Sequence, residues 1–560
     1  MNFSEELKKI IQGDVESSDG ILTKYSHDAS IFEIKPEVIV FPKDTKDVQA
    51  ITLWVHNNQS AYKNLAITPR CAGTDMSGGA IGESIIMDFT RYMNELISFD
   101  ENKGHITVMP GMFYRDFEKL TLGKGWLLPC FTASKELNTV GGMFGNNSAG
   151  EQTLQYGKTE AYIVSSKVVF ADGNEYTVKP LSKKELFEKI GQNDFEGNIY
   201  KELYTLIITN KKKLDEAKPQ VSKNSAGYYL WNVINEADED GAYFDLNKVL
   251  VGSQGTLGIA TEITYKLIRP KKENKLVVVF LRDLSLLPQI VNIVLPYKPQ
   301  TFESYDDKTF FLVLRYFYDF VKLIGVKNLF KLIFSFGPET QMTLTHGLPR
   351  LILLIEVTAD TPEEVEQKCT QVIKELSTIK KIGVHVTKNE FEAKKYWTIR
   401  HEAFNLIRYR LKKVKSKPFI DDVVVRPEKL PEFFPKLYRI LNEYKDRMIF
   451  AAGGHVGDGN MHIYTLVNPN DASIPQMIGE VSDRVYTLVH ELGGSITAEH
   501  NDGIVRTPYL EQMYGEEIIL LFKKTKEIFD NHYFLNPGKK VPTPDNKMGT
   551  KEYLSQNIKL

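Results

Sequence analysis

Apolar and polar positions along this chain fall into short strands alternating with helices, not into one long period. Glu37 to Phe41 is an apolar run rich in β-branched residues, and Pro42 to Thr45 makes a helix entry. Asp47 to Asn57 carries helical spacing, and Leu65 to Thr68 is the next strand. Short apolar runs separated by turns follow, among them Ile85 to Asp88, His105 to Val108 and Ser166 to Phe170. Strand-like text returns at Lys248 to Val251 and closes at Arg269 and Pro270, where a first domain boundary is expected. Beyond about 275 the strand–helix–strand rhythm resumes, with Leu351 to Val357 its clearest strand. The lysine-rich stretch 181–220 reads as a surface excursion, and the chain after Lys540 reads as polar and loosely held. The pattern predicts mixed strands and helices divided near 270, with a polar tail 546–560 at the end of the chain.

Charge and thiols narrow the chemistry. Lys and Arg number 70 against 72 Asp and Glu, so no global charge draws the chain to nucleic acid. The three cysteines, Cys71, Cys130 and Cys369, stand far apart and form no zinc knuckle or iron–sulfur signature. Any electrons must travel on an organic cofactor or an external carrier. The thiol usage and the amphipathic, signal-free start fit a cytoplasmic protein. Phe310 to Phe336 is rich in aromatic and aliphatic residues interrupted by Arg315, Lys322, Lys327 and Lys331, with Asp319 its one acid. Two readings stay open for it: core-facing helices with solvated lysines, or a basic aromatic face for the inner surface of a membrane or for a quinone.

Three segments share backbone left bare for an anion to approach: 70–79, 139–150 and 252–259. Glycine and small residues after a strand form a nest of N–H groups in the first, and amides and hydroxyls join the glycines in the second. None is a Walker loop or a Rossmann fingerprint.

A second constellation lies downstream. His455 and His462 flank Val456-Gly457-Asp458-Gly459-Asn460, so a tight turn at the glycines brings both rings to one side of a hairpin. Glu499 is the best third ligand, with His500 beside it as a spare base. Two imidazoles and a carboxylate suit zinc, manganese or iron(II).

Together, Pro42 to Val48, Arg70 to Gly79, Thr139 to Gly150, Tyr156-Gly157-Lys158, Gly252 to Ile259 and the paired histidine motifs resemble the vanillyl-alcohol-oxidase-like (PCMH-type) FAD-linked oxidases. The likeness is closest to their D-lactate dehydrogenase, glycolate oxidase and D-2-hydroxyglutarate dehydrogenase branch and covers about residues 20 to 540. It implies an α+β protein: a PCMH-type FAD-binding domain of two α+β subdomains over 1–270, then a substrate (cap) domain with an antiparallel sheet over 271–490 and a C-terminal helical segment, 491–545, completing the active site. Arg70, Ala72, Gly73, Thr74, Asp75, Met76, Ser77 and Gly78 would wrap the FAD pyrophosphate. Pro129, Thr132, Thr139, Gly141, Gly142, Asn146, Asn147, Ser148 and Gly150 would run along the rest of the cofactor. Gly255 and Ile259 would line it, and Asn536 would approach the flavin ring. Some relatives attach FAD through a histidine where this chain has Thr74, so noncovalent FAD is expected.

The same resemblance makes His455, His462 and Glu499 the metal ligands, His500 the base and Arg400 the clamp for a substrate carboxylate. The implied reaction oxidises a small D-2-hydroxy acid, such as lactate, glycolate or 2-hydroxyglutarate, to the 2-oxo acid. An external quinone, cytochrome or flavoprotein then takes the electrons. Two rivals are a flavoprotein subunit working with an iron–sulfur partner, and an ether-lipid synthase, whose run of consecutive histidines is absent here. The chain departs from the pattern at Cys71, Gln254, Phe404 and Arg426, and Asp421 and Asp422 are expected to play a supporting structural role.

Overall fold

A computed structural model describes residues 3–237, 241–310, 337, 347–410, 415–416 and 418–559. Three sheets organise them. The first holds β1 (Asp14–Glu16), β2 (Val38–Phe41), β3 (Ile67–Arg70) and β4 (Ile85–Asp88) in the order β1-β2-β4-β3. Its β2, β4 and β3 are parallel, and β2 and β4 are buried along their whole length, as expected where both faces of a parallel sheet are covered. The helix Thr45–Asn57 crosses between β2 and β3, capped by the Asp44 carboxylate, which accepts the N–H of Lys46 at 2.8 Å and of Asp47 at 3.2 Å.

The second sheet holds β5 (Leu96–Asp100), β6 (His105–Val108), β7 (Ile163–Val169), β8 (Glu175–Val178) and β9 (Ile259–Lys266), ordered β5-β6-β9-β7-β8 and antiparallel throughout. The third comprises β10 (Glu273–Leu281), β11 (Thr301–Asp306), β12 (Leu351–Ala359), β13 (Ile382–Val386), β14 (Lys415–Ser416), β15 (Val423–Val424), β16 (Met448–His455) and β17 (Asn460–Val467). Its order is β13-β10-β12-β11-β16-β17-β14, with β15 also on β17, and every pair is antiparallel. The change of sheet falls between β9 and β10.

The C-terminal part returns to the first half. Leu535 bridges Ile67 in parallel fashion, and the helix Glu516–Phe529 packs on the helix Phe195–Thr209. Two expectations are corrected here. The stretch 181–220 is no surface excursion, because Leu186, Ile199, Tyr200, Leu203, Leu206 and Ile207 are buried on one side of its helices while the lysines take the other. Nor is the end of the chain a loose polar tail. The helix Lys551–Asn557 buries Tyr553 and Leu554, and Ile558 bridges Phe32. The aromatic stretch 311–336 lies outside the described residues. Among those described, no helix is long and apolar enough to cross a membrane.

Candidate active site

One cavity of about 370 Å³ runs between the two halves and is lined by residues of all three glycine-rich segments and of the paired histidine motifs. Arg70, Ala72, Gly73, Thr74, Asp75 and Met76 form one wall. Thr132, Thr139, Gly141, Gly142, Asn146, Ser148 and Gly150 form a second, joined by Gly255 and Ile259. At the far end stand Arg400, Asp421, His455, His462, Glu499 and His500.

The first loop is less bare than its sequence implied. The Asp75 carboxylate accepts the N–H of Gly79 at 2.6 Å and of Ser77 at 3.1 Å, and Asn146 Nδ2 at 2.9 Å. Those two amides are therefore taken. The N–H groups of Ala72 to Met76 have no protein acceptor among the described residues, so that cavity-lining stretch is left open to an anion. On the opposite wall, a Cβ added at Gly145 would meet nothing within 4 Å, so the cavity there accepts a bulky group.

Five expected cofactor contacts do not reach the cavity wall: Ser77, Gly78, Pro129, Asn147 and Asn536. Ser77 turns its hydroxyl to Asp75, and its carbonyl accepts the N–H of Ile504. Gly78, at φ +87°, packs against Phe32 and Ile504. Asn147 bonds Glu160, and Pro129 is buried behind the wall. Asn536 is fully buried. Its Nδ2 donates to the carbonyls of Gly79 at 2.9 Å and Gln254 at 2.7 Å, and its Oδ1 accepts from Thr68 Oγ1. Asn536 thus ties two loops together from behind.

The histidine pair sits as the hairpin geometry demands. His455 ends β16 opposite Asn460, and His462 lies opposite Gly453 on β17. The turn requires glycine at 459: φ is +73°, and a Cβ there would strike the Val425 carbonyl oxygen at 1.8 Å. The two rings stand 5.1 Å apart at 83°. Glu499 Oε1 lies 3.2 Å from His455 Nε2 and 3.3 Å from His462 Nε2. Each ring's other nitrogen is taken, Nδ1 of His455 by Glu303 and Nδ1 of His462 by the Asp421 carbonyl at 3.0 Å. Both imidazoles therefore present Nε2 to one point, with Glu499 Oε1 beside it, a donor set that fits zinc, manganese or iron(II). Burial pushes the His462 pKa down. For His455 burial acts the same way, but the carboxylates of Glu303 and Glu499 together outweigh it and raise the value to about 9.

His500 stacks on His462 at 5.1 Å and 16°, with Nδ1 held by Asp421 Oδ2 at 2.6 Å. Burial opposes its charge, yet Asp422 and Asp421 prevail and lift its pKa to about 9. Asn501, at φ +67°, makes the left-handed turn behind it and donates to the Gly252 carbonyl at 2.9 Å, locking the histidine segment to the third glycine loop.

Arg400 points into the same end. Its Nε donates to Glu303 Oε2 at 3.1 Å, Nη2 lies 3.0 Å from the same oxygen as an ion pair, and Nη1 donates to Tyr464 at 3.1 Å. Glu303 was not singled out from sequence. Its signal was a carboxylate alternating with aromatics in Thr301-Phe302-Glu303-Ser304-Tyr305, an inward charge in a buried strand. Lys223 was missed as well, hidden in lysine-rich text. It is wholly buried, with Nζ 3.1 Å from Glu499 Oε2 and 3.4 Å from Asp458 Oδ2.

This fold, with its glycine-lined cavity, defines a flavoprotein class. Residues 36–179 match the model of an FAD binding domain, and residues 327–540 match that of the FAD linked oxidases, C-terminal domain. The chain belongs to the FAD-linked oxidases. It is 27% identical over 546 residues to D-2-hydroxyglutarate dehydrogenase of Escherichia coli (strain K12), covering 97% of this chain and 52% of that protein. It therefore spans about half the length of that relative. It is 26% identical to D-lactate dehydrogenase of Anaerostipes hadrus, covering 96% of each. Among solved structures, 4-ethylphenol oxidase from Gulosibacter chungangensis shares the fold, with a TM-score of 0.66 at 14% identity over 97% of each chain.

Proposed function

We propose that the chain oxidises a D-2-hydroxy acid to the corresponding 2-oxo acid, using noncovalent FAD and one divalent cation. The observation that carries this reading is the convergence of His455, His462, Glu499, His500 and Arg400 on one end of the cavity whose other walls are the flavin loops. Bound FAD supplies the two-electron acceptor for the α-hydrogen, and a cation at His455, His462 and Glu499 supplies the charge that acidifies the hydroxyl.

The chain's own residues do the rest. Arg400 holds the substrate carboxylate with the N–H groups that Glu303 and Tyr464 leave over on Nη1 and Nη2. Asp421 keeps the proton of His500 on Nδ1, so Nε2 is the atom that accepts the hydroxyl proton. A cation beside Glu499 would lower the His500 pKa from about 9 by charge repulsion, bringing the base nearer neutrality. Electrons leave to an external carrier, since the three cysteines build no cluster. The names of the D-2-hydroxyglutarate and D-lactate relatives support the substrate class.

The test is a panel of D- and L-2-hydroxy acids added to the purified protein without oxygen, scored by bleaching of the flavin band. Bleaching by D acids and not by their L enantiomers is expected. A flavin that no hydroxy acid of the panel bleaches would overturn the reading.

A further inference from the structure

Glu303 is 1% exposed in the middle of β11, a strand buried along its whole length between β12 and β16. A carboxylate so placed is costly unless its oxygens are satisfied by charge. Here the two oxygens serve two different residues. Oε1 accepts from Nδ1 of His455, the imidazole whose Nε2 faces the cation position. Oε2 accepts from Nε of Arg400 at 3.1 Å and pairs with the charge on its Nη2 at 3.0 Å. The strand pairing sets this up. Ser304 lies opposite Gly454 and Tyr305 opposite Gly453, which brings Glu303 level with His455 at the end of β16.

We infer that Glu303 is a positioning residue that couples the cation site to the substrate clamp: one carboxylate fixes both the tautomer of His455 and the aim of Arg400. With Nδ1–H committed to Glu303, His455 can offer only Nε2 to a cation. With Nε and Nη2 tethered on the same side, the outer N–H groups of Arg400 are turned to the point where a hydroxy acid must also meet the cation. Carboxylate and hydroxyl of a 2-hydroxy acid are one carbon apart, so clamp and cation must keep a fixed separation. A single rigid side chain bonded to both supplies that spacing. The inference rests on the function proposed above.

The experiment compares FAD-loaded wild type with Glu303→Gln, which keeps shape and removes charge, and Glu303→Asp, which keeps charge and shortens reach. Mn²⁺ affinity is measured by titration calorimetry without substrate, and KM for the best hydroxy acid at saturating Mn²⁺. Glu303→Gln is expected to weaken Mn²⁺ binding by about 10- to 100-fold and to raise KM at least tenfold as well. Glu303→Asp, unable to span both partners, is expected to lose in both measures and gives the answer if the glutamine variant does not fold. Mn²⁺ affinity within twofold of wild type, or a change in only one of the two measures, overturns the coupling. A wild type that binds neither Mn²⁺ nor Zn²⁺ would instead fail the proposed function, so the two failures are distinguishable.

Discussion

The backbone N–H of Glu499 donates to Asp422 Oδ2 at 2.9 Å. The same oxygen accepts the N–H groups of Ala498 at 2.9 Å and His500 at 2.8 Å, and the Thr497 hydroxyl at 2.7 Å. One fully buried carboxylate thus holds the turn that carries both the expected cation ligand and the expected base. Burial alone would raise its pKa, yet the surrounding positive charge, from His500 first and Arg506 after it, together outweighs that and keeps it far below the usual carboxylate range.

Asp422→Ala removes the acceptor for that turn and leaves several buried donors without a partner. A loss on the order of 3–5 kcal/mol is expected in urea denaturation. Turnover should fall to background even at temperatures where the variant stays folded.

Glu499→Ala and His500→Ala remove the third expected cation ligand and the expected base and leave the free N–H groups of Ala72 to Met76 untouched. Both variants should purify yellow, with flavin content like wild type, and lose about 100- to 10,000-fold in turnover. Absorbance and steady-state rates check this together. A near-native rate in either would remove that residue from its role.

FAD should come off without cleavage of a bond, since Thr74 stands where some relatives place their attaching histidine. Acid precipitation of the protein is expected to leave all flavin in the supernatant.

Lys158, which is neither an expected cation ligand nor the expected base, gives a further pH signature. It is buried, Nζ donates to the Asn224 carbonyl, and burial lowers its pKa to about 8. In the unfolded chain the amine titrates near 10.4. Between about pH 8 and 10 the unfolded state therefore binds more protons at this site than the folded state, and stability from this group rises with pH. Lys158→Met should lack that rise. Denaturation at pH 7.5 and 9.5 should show wild type gaining on the variant by up to about 1.4 kcal/mol per pH unit.

Local chemistry made much of this protein legible before any coordinates. The β-branched runs at Val38 to Phe41 and Ile85 to Asp88 could only be strands, and the Gly457 to Gly459 turn could only bring His455 and His462 to one side. Periodicity, turn residues and ligand types all act within a few residues, so one sequence determines them. What tertiary structure decided was the partner across hundreds of residues. Asn536 was expected at the flavin but faces Thr68, Gly79 and Gln254 from behind the wall. The last helix was expected to be loose but packs its Tyr553 and Leu554 inward. Lys223, buried against Glu499, carries no local motif, and the inward charge that the strand pattern marks at Glu303 names neither His455 nor Arg400 as its partner. Their place is set by which strands and loops meet, and the cost of burying a charge is offset only by opposite charges that the fold brings from afar.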